Sequence, residues 1–375
     1  MKNDILVVGG YGQVGRIISS RLAREYPGRV VIAGRNALKD RAQADPAIRR
    51  RQLDLAHPAE FSPALAGVRL AVVSFERKNS NFVQTCIEQG VCYIEVAASH
   101  EKLCEVTALG DLALEKGVAV IPGAGLIPGL SNILAAHCAD GLTSVKRVDI
   151  FAMLGLGDLH GIDAIRWILD HGGRRFALAT RRGTECFESF SDPRPVRFPD
   201  ENTPRIAYRF NFGDQHVLTE SIGADEAASR VCFDSGPATR LFVLAARAGV
   251  LRLARRLSPL RIARMMQPIR FGSNRFGLLV AVTDEFGVRV DASVTGRGEA
   301  KATGVVTALA ARLLYDGKVR PGVHFLEHVL PLSAIKDDLE AEGIRVWADT
   351  PPEGGLSRRP PPAPIGSTRG PGRNP

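Results

Sequence analysis

No two cysteines of this chain stand at C-x-x-C spacing. The six (Cys86, Cys92, Cys104, Cys138, Cys186, Cys232) are scattered over 375 residues, which argues against a structural zinc site or a dithiol redox pair and suits free thiols in a reducing compartment. No stretch reaches the ~18 uncharged apolar residues that a spanning helix needs. Met1-Lys2-Asn3-Asp4 leads straight into an apolar run with no signal-peptide core, so the expected location is the cytoplasm. A G-x-S-x-G nucleophile elbow and a P-loop ending in Gly-Lys-Ser/Thr are both missing, which excludes two large enzyme classes. His324 and His328 are four apart but do not form H-E-x-x-H. With no third ligand in view they read as a helix surface, and no metal is expected.

What is present is ordinary globular material. Hydrophobic residues make up 45% and charged residues 24%, enough apolar side chain to build a core and to exclude disorder as the main state. The net charge of +9 is spread along the chain and partly carried by a Pro-rich tail. An anionic cofactor or substrate accounts for it as readily as nucleic acid, and no nucleic-acid partner is expected.

The sharpest signal is at the amino terminus. Asp4-Ile5-Leu6-Val7-Val8 reads as a buried parallel strand, and Arg16 to Leu22 continues at helical spacing. Between them Gly10-Tyr11-Gly12-Gln13-Val14-Gly15 supplies G-x-G-x-x-G. The first glycine allows a tight turn, the second lets backbone approach a pyrophosphate, and the third lets helix pack on strand. Pyrophosphate then sits at the positive helix end. The second strand, Arg29–Ala33, ends in Gly34-Arg35-Asn36. An NAD site would place a carboxylate here for the ribose 2′-hydroxyl, whereas Arg35 can fork onto a 2′-phosphate. Arg16 and Lys39 stand near enough in sequence to assist. The expected cofactor is NADP(H) in preference to NAD(H), held by Gly10 to Gly15, Arg35, Asn36, Asp54, Ser74 and Phe75; the plainer reading of Arg35 is a solvated loop charge.

Further short apolar strands (Leu70–Ser74, Cys92–Val96, Gly117–Ile121) alternate with helical patterns at 81–89 and 101–115. That alternation predicts a Rossmann-type, doubly wound parallel sheet over residues 1–130. Ligands bind beyond the carboxyl ends of such strands, so Ser74, Phe75, Glu76, Glu95 and 97–100 are expected to look toward the cofactor. Residues 131–298 read as an inserted α/β domain with an open mixed sheet, serving substrate binding and dimerisation. A hairpin turn at Asp284-Glu285-Phe286-Gly287 precedes the alternating strand Val288–Val294. Residues 299–345 are expected to return to the first domain. From 349 to 375 a tail rich in Pro, Gly and Arg cannot bury a core and is expected to be disordered. The expected assembly is a homodimer.

Beyond the glycine turn and Ala33-Gly34-Arg35, the segments Gly90-Val91-Cys92-Tyr93-Ile94-Glu95 and Ile121-Pro122-Gly123-Ala124-Gly125-Leu126-Ile127-Pro128-Gly129-Leu130-Ser131-Asn132 resemble the saccharopine dehydrogenase/reductase-like family. So do Phe271-Gly272-Ser273 and Gly296-Arg297-Gly298-Glu299-Ala300. The resemblance spans about residues 1–345, and the Pro-Gly-x-Gly-x-x-Pro-Gly-Leu-Ser run is its most particular part. It implies an NADP- or NAD-dependent oxidoreductase that makes or cleaves secondary amines of amino acids, or handles related imines. Two departures, a loop Ser74–Asn79 without the usual proline and Glu95 in place of an Asp, set the known substrates aside.

Hydride transfer needs a group to give or take the accompanying proton. Glu95, ending a strand at the crevice, is the first candidate; ribose or backbone hydrogen bonding is its equal alternative. Tyr93 is read as core on the other face of that strand, and His100 as an exposed loop residue. His160 is the second candidate, on a segment that resembles a substrate-facing part of the family. Arg166 or Arg175 would fork onto a substrate carboxylate. The favoured reaction is reduction of an imine or carbonyl of an amino-acid-derived small molecule, or its reverse. Alternatives are a non-catalytic NADP(H)-binding regulator and a reductase of a lipid-like enoyl or keto substrate. Arg240–Arg270 groups Leu241, Leu244, Ala248 and Leu251 on one helical face opposite arginines. The ordinary reading is an amphipathic helix with arginine stems over apolar surface; the other is an anionic membrane or acyl partner.

Overall fold

The computed structural model describes residues 2–35, 48–158, 170–251 and 272–349. It divides into two compact units. One takes residues 2–130 and Thr303–Leu330, the other Ser131–Ala302 and the described residues from Pro331 on.

The first unit is built on a wholly parallel seven-stranded sheet. Its strands are β1 (Asp4–Val8), β2 (Val30–Gly34), β3 (Arg49–Gln52), β4 (Val68–Val73), β5 (Cys92–Glu95), β6 (Ala119–Ile121) and the two-residue strand Gly322–Val323. The order across the sheet is β3, β2, β1, β4, β5, β6, Gly322–Val323, with every neighbouring pair parallel. Strands covered on both faces have no use for alternation, and β1 and β2 are buried almost throughout. Helix α1 (Gln13–Glu25) turns Gly15, Ile18, Ser19, Leu22 and Ala23 to the interior, one face at helical spacing. On the sheet, Leu6, Val8, Phe61, Phe82, Val83, Ile87, Tyr93 and Val106 share one core. The helical pattern expected over 101–115 is two helices, His100–Thr107 and Gly110–Glu115.

The second unit has a mixed seven-stranded sheet. Its order is Arg194–Val196, Arg205–Arg209, Glu226–Phe233, Arg147–Leu154, Arg275–Thr283, Arg289–Arg297, Arg345–Ala348. Only the central pair, Glu226–Phe233 with Arg147–Leu154, is parallel. The expected hairpin is there: Asp284 Oδ1 accepts from the amides of Phe286 (2.9 Å) and Val288 (2.8 Å) and closes the turn. Residues 331–345, expected to return to the first unit, lie in the second, because Arg345–Ala348 pairs with Arg289–Arg297.

One charged cluster in this unit is centred on buried arginines, and a second is half-buried. Arg230 is fully enclosed and donates to Asp149 Oδ1 at 2.7 Å and to Asp192. Its neighbour Arg209 lies with its guanidinium 3.9 Å over the Phe187 ring, and burial pushes its pKa down to about 10. At the end of Arg147–Leu154, Glu299 Oε1 accepts from the Gly155 amide (3.0 Å) and Asp234 Oδ1 from the Leu156 amide (3.1 Å). Asp158 Oδ2 in turn accepts from the Glu299 amide at 2.9 Å. Burial, reinforced by the negative charges of Asp158 and Asp234, pushes the Glu299 carboxyl up to about 8.

Candidate functional site

Because the first sheet is parallel, β1 to β5 release their loops at one edge. Between β1 and β4 the winding reverses: the chain goes to β2 and β3 on one side and to β4, β5 and β6 on the other. Loops that diverge in this way leave a crevice at the carboxyl ends, and Gly9 to Gly15 enters it.

The glycines of the turn are there for two different reasons. A Cβ on Gly15 would lie 2.2 Å from the Gly9 carbonyl oxygen, and one on Gly10 would lie 2.4 Å from Ile32 Cγ2. Packing within the protein thus demands both. Gly12 differs: its Cβ would meet only the Gly9 oxygen, at 3.3 Å, and the residue is exposed. The space over Gly12 is open to a group approaching from outside, which is what close passage of a diphosphate requires. Gly12 also begins α1 with no side chain capping it, and the first turn holds no acidic residue. Among the described residues no side chain of the turn caps the amides at this positive helix end.

On the β2 side, Tyr11 lies against Gly34, where a Cβ would stand 2.3 Å from the Tyr11 hydroxyl. Arg35 follows at once and is exposed; its carbonyl accepts from Gln52 Nε2 at 2.5 Å. No carboxylate stands at the end of β2, and among the described residues no ion pair engages the Arg35 guanidinium. Asp54, just past β3, shapes its own loop: Oδ1 accepts from the Ala56 amide (3.0 Å) and its amide donates to Glu60 Oε2 (2.8 Å). Asn36 lies outside the described residues, as do Lys39, His160 and Arg166.

On the β4 side, the Ser74 hydroxyl and amide both donate to the Val8 carbonyl (3.0 and 3.1 Å), tying the β4 loop to β1. The Phe75 ring abuts Gly9. Glu76 Oε2 accepts from the amides of Ala98 (3.0 Å) and Ser99 (2.9 Å) and thereby joins the β4 and β5 loops. Ser74, Phe75 and Glu76 thus stand at the crevice edge, each with a local structural task.

Glu95 departs from expectation. Its carboxylate is fully buried, receiving Arg77 Nε at 2.8 Å and the Tyr93 hydroxyl at 2.6 Å. Arg77 also reaches Glu105 Oε2 (2.5 Å) and the Lys102 carbonyl (3.0 Å). Burial pushes the Glu95 carboxyl up from its ordinary value, and the Arg77 charge pulls it part of the way back. Burial also works against the Arg77 charge, but Glu95 and Glu105 outweigh it and hold the guanidinium above its usual range. The carboxylate expected to serve as the acid is thus enclosed, with Arg77 and Tyr93 as its hydrogen-bond donors. Tyr93 is in the core as expected but on the same face as Glu95, since residues two apart on a strand point the same way.

Other candidates are also relocated. His100 opens a helix, with Cys104 Sγ 3.3 Å from Nε2. Arg175 begins an exposed two-stranded ribbon. His324 and His328 do not share an α-helix, because Phe325 between them is extended. The residues that sequence reasoning missed are Arg77, Glu105 and Gln52. Arg77 had a signal, a cation in a loop leading away from a strand end, but nothing in its own neighbourhood named its partner.

This geometry defines a dinucleotide-binding domain of the Rossmann type. Residues 5–121 match the family described as the saccharopine dehydrogenase NADP binding domain. No curated protein sequence matches the chain. Among solved structures, apo saccharopine dehydrogenase (L-Glu forming) from Saccharomyces cerevisiae is similar in fold, with a TM-score of 0.64 at 13% identity. The match covers 92% of this chain and 99% of that one. A meso-dapdh mutant from Clostridium tetani E88 aligns at 15% identity over 91% and 99% of the two chains, with a TM-score of 0.41.

Proposed function

We propose that the protein is an NADP(H)-dependent oxidoreductase that reduces the C=N or C=O group of a small amino-acid-derived molecule, or carries out the reverse oxidation. The second unit would hold the substrate and join two copies into a homodimer. The observation that carries the reading is the glycine turn at the reversal point of a parallel sheet, open over Gly12 and uncapped at α1. The family matched by residues 5–121 and the dehydrogenase fold shared with the yeast enzyme support it.

In this reading Gly10 to Gly15 and the first amides of α1 bind the diphosphate, and Arg35 faces the 2′-phosphate. Tyr11 and Asp54 shape the adenosine end, and Ser74 and Phe75 border the opposite end. NADPH, when bound, supplies the hydride. Glu95 acts as a positioning residue. Through Arg77 it anchors the β4 loop, which Glu76 ties to the amides that follow β5. The proton is assigned to His160, which lies outside the described residues.

The burial of Glu95 favours one rival, a regulator that binds NADP(H) without turning anything over. Calorimetric titration with each coenzyme, followed by a screen of NADPH oxidation against pooled keto acids with and without amines, separates the two. Binding with turnover supports the oxidoreductase, and binding with a silent screen supports the regulator. Failure of both coenzymes to associate at millimolar concentration removes both readings.

A further inference from the structure

The helix Gly236–Arg247 in the second unit presents an apolar face to solvent. It packs inward through Thr239, Val243 and Ala246, and Phe242 meets Phe190 and Phe233 edge-on at 5.4 and 5.2 Å. That contact is complete without Leu241 and Leu244, which are 69% and 63% exposed. Of the face expected to lie on the protein, Leu241, Leu244 and Ala248 point outward and only Leu251 is buried. Val250 (51% exposed) follows the helix, and Ile206 (38%) shares a shallow recess with Arg240 at the helix start.

Single exposed leucines are common and need no explanation. Two on one helix face, with an exposed valine and isoleucine nearby, form a patch. Two arginines of the same helix stand beside it. Arg240 and Arg247 are exposed at either end of the leucine pair, Arg247 also donating from one guanidinium nitrogen to the Phe190 carbonyl (3.3 Å). The sequence holds no aspartate or glutamate from Ser235 to Thr283 and eight arginines from Arg240 to Arg270, of which Arg252 to Arg270 lie outside the described residues. Apolar side chains flanked by arginine suit the boundary between acyl chains and anionic headgroups. A two-fold contact between copies of this chain would instead set those arginines against their own equivalents, which costs free energy.

We propose that the outward face of Gly236–Arg247 is a docking surface for membranes rich in anionic phospholipid, with Leu241 and Leu244 entering the acyl boundary and Arg240 and Arg247 lying against the headgroups. The proposal is independent of the coenzyme reading. The test is flotation of the full-length protein with vesicles of phosphatidylcholine alone and of phosphatidylcholine with one-third phosphatidylserine. Wild type should float with the mixed vesicles only, and increasingly less so as salt is raised. Leu241→Glu with Leu244→Glu should cut the bound fraction at least tenfold while circular dichroism stays unchanged. If that variant misfolds, Leu244→Trp serves instead, its emission shifting to the blue on mixed vesicles alone. Flotation with neither lipid, equal flotation with both, or no blue shift in the Leu244→Trp variant overturns the proposal. So does a wild-type dimer that the Leu241→Glu, Leu244→Glu variant converts to monomer.

Discussion

At Arg35 the proposed site chooses its coenzyme by charge. Charge-assisted hydrogen bonds are worth ~1.5–3 kcal/mol, so Arg35→Glu should weaken NADPH binding about 10- to 100-fold and leave NADH binding nearly unchanged. Calorimetric Kd values for both coenzymes check this, and equal losses would refute the 2′-phosphate assignment. Glu95→Gln tests a different kind of residue. Removing one charge from a buried pair costs up to ~3–5 kcal/mol, and glutamine, which keeps the shape, should cost less. Tm should fall while NADPH affinity holds. If Glu95 positions Arg77, turnover drops and its pH profile keeps its shape; loss of one limb of the profile would restore the acid role. The glycines and Arg35 were legible in the sequence because their reasons are local: a turn, a helix start, a strand end. The Arg77–Glu95 pair was not, since its partners are 18 positions apart and meet only because Val73 and Glu95 are in register on neighbouring strands.

Elements show the same division. β1, β2, β4 and β5 are apolar runs that declare themselves. β3 does not: Arg49-Arg50-Arg51-Gln52 has no apolar pattern and exists because the edge of β2 offers hydrogen bonds to fill. The helix Gly236–Arg247 was visible as a helix, but which side would be buried depended on where Phe190 and Phe233 lie. Glu299, opening the helix Glu299–Tyr315, gives a prediction at this scale. A negative charge at a helix start is ordinarily favourable, yet burial here holds the carboxyl near 8. In the unfolded chain it ionises near ~4.3, so between those values the folded state binds the extra proton and stability falls as pH rises. The loss has an upper bound of about 5 kcal/mol. Urea unfolding at pH 5 and pH 8 should show wild type less stable at pH 8. Glu299→Gln, able to accept the same Gly155 amide, should narrow that difference, and an unchanged difference would refute the assignment.

For the whole molecule, both sheet types were foreseeable from hydrophobic patterning. A strand buried on both faces must be apolar throughout, and one with a wet face must alternate. Chain order alone did not say where each segment would end up: Gly322–Val323 extends the first sheet and Arg345–Ala348 the second, although only 21 residues separate the end of one from the start of the other. By itself the amino-acid sequence determined the parallel nucleotide-binding sheet, its glycine turn and the absence of a carboxylate after β2, because steric limits and helix-end electrostatics act over a few neighbouring residues. Only the tertiary structure decided that Glu95 is spent on Arg77 and Tyr93, that Glu299 meets the Gly155 amide beside Asp158 and Asp234, and that Leu241 and Leu244 face outward. Burial and ion pairing depend on what other parts of the chain bring alongside, and no local pattern encodes that.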